Sequence, residues 1–255
     1  MRAFANIAVA MLLTLTIGVG SVRAIDPAGI YAGRTIVTGT LEPERGKGLQ
    51  RIMLDVLIKA AAEPLLADDP RVQKLLARAP DYVTGFEYED RMKGTPVRDE
   101  QGTRDRPHDL TAAFNPAMIG AALAELGLQP WKGRRPTLSA LITVKFPDNQ
   151  FVLAEDSQLG LGQKQALQAA ALRRGMKVIL GEGNLKPPSD DSMNTSETHV
   201  LKGTLSWQPD KVSWHTDWQL IHRRKNRSWS LDSSSFDEAF RNGVGEAAAT
   251  LAGRR

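Results

Sequence analysis

The chain contains no cysteine among its 255 residues. Without thiols it cannot form a disulfide, use a cysteine nucleophile, or hold an iron–sulfur cluster or a cysteine-ligated zinc ion. A diacylglyceryl lipoprotein anchor is excluded as well, because that anchor needs a cysteine at the mature N-terminus. Lack of disulfides fits both oxidising and reducing compartments, so the location must be inferred from another signal.

The chain also has little excess charge of either sign. It carries 33 Lys and Arg against 29 Asp and Glu, a net charge of +4. Loss of a leader containing Arg2 and Arg23 would leave +2. This is too small for a general electrostatic attraction to nucleic acid, so we expect no nucleic-acid partner.

Long apolar runs are confined to the N-terminus. Arg2 precedes the almost continuously apolar residues 7–19, and Val22 and Ala24 form a small-residue cleavage pattern. These features predict a Sec-type signal peptide at 1–24 and an exported, periplasmic protein that begins near Ile25. An uncleaved anchor is the alternative, which the short run disfavours. We expect no transmembrane segment in the mature chain.

The first half of the chain predicts strands at residues 35–40, 82–88 and 108–114, and helices at 45–63 and 116–126. The helix at 45–63 has apolar residues at spacings of three and four, which places them on one face against a core. That face consists of Leu49, Ile52, Met53, Val56, Leu57 and Ala60. In the strand at 82–88, alternation places Tyr82, Thr84, Phe86 and Tyr88 on one side.

The second half predicts a strand at 137–146 with a hairpin partner at 151–153, a helix at 161–174 and a strand at 176–180. This strand–helix–strand order indicates a parallel crossover. A meander of strands at 198–207, 211–221 and 228–231 follows, with a basic turn at 223–227 and a terminal helix at 235–251.

Together these elements predict an α+β (mixed α/β) fold made of two small sheet-plus-helix subdomains. Residues 132–136 contain glycine, two arginines and proline without apolar periodicity, which marks an internal boundary. We therefore predict a signal peptide at 1–24, an N-terminal α+β subdomain at 25–135 and a C-terminal α/β subdomain at 136–255.

Residues 90–109 form a dense charged connector between two predicted strands. Its candidate binding residues are Arg98, Asp99, Glu100, Arg104, Asp105, Arg106 and His108. Paired arginines could bind an anionic group of a partner. A catalytic reading would use the carboxylates with His108 as a proton carrier. The third reading is a solvated loop whose opposite charges pair with one another. The alternating signs favour internal pairing, and we assign no catalytic residue.

Two further clusters lie in the meander. His215 and Asp217 share a strand face, but the ligand count is too low for a metal, so we expect no metal and no cofactor. Tryptophans at 207, 214, 218 and 229 lie beside the basic turn and could stack on sugar rings or bases. Because Trp214 and Trp218 share a strand face, burial beneath the terminal helix is favoured.

Several scattered positions resemble a known family. They are the helix at 49–59, the YV-x-x-F-x-Y strand from Tyr82, the Leu126-Gly127…Pro130-Trp131 corner, and Arg135-Pro136 before a strand. This pattern resembles the domain-of-unknown-function family 2066, whose members are exported bacterial envelope proteins. The resemblance implies a location and no accepted activity. The longer, more charged connector departs from the family pattern and indicates a subgroup.

From these observations we expect a non-enzymatic periplasmic binding or adaptor protein that acts on an envelope protein partner. An envelope hydrolase or transferase using residues 90–109 is one alternative. A glycan or anionic-polymer binding module using the tryptophans and arginines of the meander is another. The sequence does not indicate an oligomeric state.

Overall fold

The computed structural model describes residues 24–65, 67–94, 105–181, 199–222 and 225–254. These residues form an α+β fold with one sheet of three strands and one of six, which confirms the predicted fold class. None of the helices in these ranges is both long and apolar enough to cross a membrane.

The first part of the chain contains three strands and four helices. In order they are β1 (Ala32–Thr38), α1 (Glu44–Ala61), α2 (Pro70–Leu76), α3 (Ala79–Tyr82), β2 (Val83–Asp90), β3 (Pro107–Phe114) and α4 (Pro116–Glu125). The three strands form an antiparallel sheet in the order β1-β3-β2.

Helix α1 covers one face of this small sheet. All six apolar residues predicted for its core face are buried, from Leu49 to Ala60. They pack with Leu110, Ala112 and Phe114 of β3 and with Ile119 of α4. The period of 3.6 residues per turn therefore identified the buried face of α1 correctly.

The prediction for the strand at 82–88 was wrong at its start. Tyr82 ends the short helix α3, and the strand begins at Val83. The pairing of β2 with β3 shifts register between Val83 and Gly85, as a bulge does. Tyr82 is buried as part of α3, and Phe86, which follows the bulge in β2, is exposed, so the two do not share a strand face.

The second part of the chain contains six strands and two α-helices. They are β4 (Thr137–Lys145), β5 (Gln150–Val152), α5 (Leu161–Leu172), β6 (Lys177–Leu180), β7 (His199–Gln208), β8 (Ser213–His222), β9 (Lys225–Ser233) and α6 (Phe236–Leu251). A single 3-10 turn, Pro209–Lys211, joins β7 to β8.

The large sheet has the order β5-β4-β7-β8-β9, and β6 also pairs with β4. Strands β6 and β7 both run parallel to β4, which confirms the predicted crossover, and the last three strands form the predicted meander. The basic turn predicted at 223–227 is too long, because β9 includes Arg227. The Arg227 guanidinium lies 3.6 Å from the Glu246 carboxylate of α6.

Helices α5 and α6 cover one face of the large sheet. Trp214, Thr216, Trp218 and Leu220 of β8 point into this core, while His215, Asp217 and Gln219 lie on the other face, as predicted. The indole Nε1 of Trp218 donates to Thr216 Oγ1 at 3.0 Å, so the buried ring has a partner for its polar atom.

The two sheets are built from separate stretches of chain and have separate apolar clusters. The division into subdomains at residue 135 nevertheless stays a prediction, because the two parts share a polar junction around Arg135.

Candidate functional site

The connector predicted as a binding site leaves the small sheet at the ends of β2 and β3. The last pairs of the ladder are Glu89 with Asp109 and Asp90 with His108. Gly39, just beyond β1, donates its N–H to Arg106 O at 2.8 Å. Three chain segments therefore hold the base of the connector.

Charged side chains at this base pair with one another. Arg106 Nη1 donates to Asp90 Oδ2 at 3.2 Å, and Arg91 Nε lies 3.9 Å from Asp109 Oδ1. His108 Nδ1 lies 2.9 Å from the main-chain oxygen of Arg106. These contacts support the reading in which opposite charges within the connector satisfy each other.

The predicted binding residues divide into two groups. Asp105, Arg106 and His108 lie in the described base, with Arg106 and His108 in contact there. Arg98, Asp99, Glu100 and Arg104 lie outside the described residues. Asp90 is the last residue of β2, and Asp109 lies in β3. The carboxylate of each lies next to an arginine side chain.

The pKa of Asp90 lies below its ordinary value of 3.8, first because Met92 N donates to the carboxylate and then because Arg106 does. Burial acts in the opposite direction and is outweighed. A carboxylate with a lowered pKa stabilises the fold above pH 3.8, and this contribution is lost as the pH falls through the lower folded value.

We predict that Arg106→Met will raise the pKa of Asp90 only part of the way to 3.8, because the bond from Met92 N remains. The measurement is an NMR titration of the Asp90 carboxyl carbon in wild type and variant. Arg71→Met, far along the chain at α2, serves as the control and should leave Asp90 unchanged. Full recovery of the ordinary pKa in Arg106→Met would contradict this order of causes.

The tryptophans of the meander do not form a stacking platform. Trp214 and Trp218 are buried, and Trp207 and Trp229 are partly buried against the same core. On the opposite face, His215 lies 2.7 Å from Asp232 and 3.6 Å from Asp217. Within the described ranges, no group of three or more potential ligands is placed to hold a metal ion.

Strand β2 forms an edge of the small sheet. In the described part of that sheet it pairs with β3 on one side only. Phe86 in the strand is 44% exposed, and Met92 just after it is 39% exposed. The guanidinium of Arg45 lies 5.6 Å from the centre of the Phe86 ring. We call β2 with Phe86, Met92 and Arg45 the β2 edge.

Arg135 lies at the junction between the two parts of the chain. Its Nη2 donates to Lys59 O at 2.7 Å and to Ala60 O at 3.3 Å, and its Nη1 donates to Arg174 O at 3.2 Å. The Trp131 ring stacks 4.0 Å from its guanidinium carbon. A cation here complements the carbonyl ends of α1 and α5. Burial lowers the pKa of Arg135 to about 10, so it remains charged near neutral pH.

Lys59 is a second cation at the junction and, unlike the half-buried Arg135, it is buried. Its Nζ donates to Ala32 O at 2.8 Å, to Gly29 O at 2.9 Å and to Pro27 O at 3.4 Å. Burial lowers its pKa below 10.5, and Asp55 partly opposes the shift. Through these bonds α1 holds the N-terminal segment of the described chain in place.

A cleft beside the junction contains several more cations. It has a volume of about 290 Å³ and is lined by Arg173 and Arg174 after α5, Arg241 and Asn242 of α6, and apolar side chains of α1, α5 and the loop after α1. We call this the arginine cleft. Sequence analysis missed it because its arginines come from segments far apart in the chain.

Part of the chain matches a domain whose function is unknown. A family model described as a domain of unknown function (DUF8605) matches residues 24–132, which is less than half of the chain. This match does not confirm the specific family number 2066. No curated protein matches the chain.

Several solved structures match part of the chain at low similarity. An uncharacterised protein is 15% identical over 46% of this chain and 90% of its own, with a TM-score of 0.24. TolB from Acinetobacter baumannii is 14% identical over 47% of this chain and 29% of its own, with a TM-score of 0.26. A neuraminyllactose-binding hemagglutinin homolog from Helicobacter pylori is 14% identical over 47% and 86%, with a TM-score of 0.20.

Proposed function

We propose that the protein is an exported binding or adaptor protein of the cell envelope, which recognises a partner protein without transforming it. The observation that carries this proposal is the β2 edge. An edge strand presents main-chain N–H and C=O groups that a strand of a partner can pair with. Strand β2 is eight residues long, and alternate residues along it direct their main-chain N–H and C=O groups away from β3.

The side chains of the β2 edge suit a protein partner. Aromatic residues, methionine and arginine are enriched where proteins meet. Phe86 and Met92 are exposed apolar side chains, and Arg45 lies over the Phe86 ring. The neighbouring connector base is held by ion pairs and by Gly39, so it can present charged residues next to the strand in a defined orientation.

One carboxyl group of the connector base, that of Asp90, is not suited to act as a general acid. A general acid needs a carboxyl group whose pKa is raised toward the working pH. The pKa of Asp90 is lowered instead. A glycan-binding role through the meander is also less favoured, because Trp214 and Trp218 are buried.

Export through a leader at 1–24 is part of the same proposal. The leader pattern ends at Ala24, and the family match starts at residue 24. Lys59 binds carbonyl oxygens from Pro27 onward, so a mature chain that begins at Ile25 keeps all of these bonds. Mass spectrometry of the protein purified from the periplasm should give Ile25 as the first residue, and an intact Met1 would contradict cleavage.

Site-specific photo-crosslinking tests the partner surface. A photoreactive amino acid in place of Phe86 should give one discrete adduct with an envelope protein in living cells. The matched control is the same amino acid in place of Ile179, which is 55% exposed in β6 of the other sheet. Background at both positions, or the same adducts at both, would contradict recognition through the β2 edge.

A further inference from the structure

We propose that one end of the large sheet docks a basic segment of a partner protein that also carries apolar side chains. This end lies where β4 and β7 finish and where α5 and α6 begin, so it is opposite the start of β4 near Arg135. It belongs to the second part of the chain and does not depend on the partner proposed for the β2 edge. We call it the apolar end and define it by the side chains of Phe146, Phe151, Leu159, Leu161 and Val212.

Aromatic rings form the floor of the apolar end. The Phe146 ring lies 5.4 Å from the ring of Trp214 and 6.4 Å from that of Phe151, measured between centroids. The ring of Phe236, the first residue of α6, lies 6.4 Å from the Trp214 ring. Trp214 is buried, whereas Phe146 is 38% exposed. The core of the large sheet therefore reaches the surface here as a group of neighbouring aromatic rings.

Two leucines extend this apolar surface at the start of α5. Leu159 and Leu161 are 59% and 58% exposed, and they flank Gly160, the N-cap of the helix. A Cβ at Gly160 would lie 2.8 Å from Phe151 Cε2, so this segment packs against the Phe151 ring. The buried residues of α5 lie further along the helix, so the core needs neither leucine. Exposed apolar side chains that cluster in this way mark sites of interaction.

Val212 adds an apolar side chain that the backbone holds in an unfavourable conformation. It ends the turn between β7 and β8 with φ 49° and ψ 45°, and it is 70% exposed. Ser234 and Glu238 at the start of α6 line the same shallow depression. A β-branched residue is an outlier in this left-handed region, and strained residues cluster at functional sites. Burial of the valine against a partner would account for its presence here.

The charge around the apolar end selects the class of partner. It is built from residues 145–165, 206–213 and 232–241, which hold six carboxylates, three lysines and one arginine apart from Asp156, which has a further interaction. Their net charge is −2, although the whole chain carries +4. A segment with Lys or Arg beside apolar residues is complementary to this end. An anionic phospholipid surface attracts basic segments and is therefore not complementary.

The test is fluorescence anisotropy of a labelled synthetic peptide with the purified mature protein. The probe contains only leucine and lysine, in an order that makes an amphipathic helix, and a matched probe has glutamate in place of every lysine. The lysine peptide should bind, and its affinity should fall several-fold between low and physiological ionic strength because salt screens the charges. The glutamate peptide should not bind. Failure of the lysine peptide to bind, or equal binding of both peptides, would overturn the proposal.

Two sets of substitutions locate the binding surface. Leu159→Ser combined with Leu161→Ser should weaken binding of the lysine peptide by about tenfold, because binding no longer buries two apolar side chains. Leu172→Ser is the matched control and should bind as wild type, since this leucine is 46% exposed at the far end of the same helix. All three leucines are exposed, so the variants should stay folded, which thermal unfolding checks. The same loss of affinity in both sets would contradict binding at the apolar end.

Val212→Asn separates binding from stability. It should weaken peptide binding several-fold while leaving the thermal midpoint unchanged or higher, because asparagine adopts the left-handed region more readily than valine. A merely structural role for Val212 would not lower affinity without lowering stability. Phe86→Ser at the β2 edge should bind the lysine peptide as wild type, so failure here and failure of the partner proposed for that edge are distinguishable.

Two other occupants of the apolar end give different results. Sedimentation with vesicles of anionic phospholipid that the double leucine variant abolishes would assign this end to a membrane. A dimer in light scattering that the same variant dissociates would assign it to a second copy of the chain. Either result would overturn docking of a basic segment, and a monomer that binds the lysine peptide but not the vesicles supports it.

Discussion

Gly243→Ala should lower the free energy of unfolding by about 1–3 kcal/mol, the cost of forcing an extra methyl group into a filled core. The expected sign is unusual. Alanine at an ordinary helix interior stabilises by roughly 0.5–1 kcal/mol relative to glycine. Gly243 lies inside α6, so helix propensity alone predicts a gain.

The reason for the reversed sign is Trp218. A Cβ at Gly243 would overlap atoms of the buried indole ring. The ring cannot move away, because Gly203 of β7 lies against it, and a Cβ there would be 2.6 Å from the ring. The hydrogen bond from the indole to Thr216 further fixes its position. Trp218 therefore fills the space between sheet and helix that two glycines leave open.

Gly120→Ala is the matched control within the same protein. Gly120 lies inside α4, and its nearest atom for an added Cβ is Pro130 Cγ at 3.8 Å, an ordinary contact distance. This variant should be more stable than wild type by up to about 1 kcal/mol. Urea unfolding measures both changes. Stabilisation by both substitutions would show that the core around Trp218 has spare room, contrary to the structure.

Arg135→Met should destabilise the protein by about 2–5 kcal/mol, because two largely buried carbonyl groups lose a charged donor. The affected acceptors are Lys59 O and Arg174 O. Ala60 O is less affected because it also accepts from Trp131 N at 2.8 Å. Methionine keeps apolar contact with Trp131, so the loss measures the hydrogen bonds more than the packing.

Two companion variants separate the role of Arg135 from that of charge in general. Arg134→Met removes the same charge from the neighbouring exposed residue and should change stability by less than about 0.5 kcal/mol. Arg135→Lys should fall between the two, because an ammonium group cannot span the ends of both helices as the guanidinium fork does. Equal losses of stability in Arg134→Met and Arg135→Met would contradict a special stabilising role of Arg135 at the junction.

Local periodicity accounts for most of what could be predicted from the sequence. The buried face of α1 and the alternation in β8 follow from repeats within one element, and both were predicted. The start of β2 was misplaced because Tyr82 ends the short helix α3, and the predicted strand face was wrong because a bulge, which has no reliable sequence pattern, follows Val83.

The junction and the arginine cleft could not be predicted in the same way. Residues 132–136 were read as a boundary since they lack apolar periodicity, yet Arg135 is a central contact of the fold. Its partners are 39 and 76 residues away, and nothing local indicates such distances. One signal was present: Lys59 lies among the apolar residues near the end of α1, where a lysine needs a polar partner.

The N-terminal segment that leads into β1 contacts both parts of the chain. Side-chain atoms of Ile30 and Lys59 occupy the space where a Cβ at Gly175 would lie, and the Lys59 ammonium donates to the carbonyl oxygens of Gly29 and Ala32. A short deletion that reached Gly29 would thus loosen both cores at once, although it removes no strand and no helix.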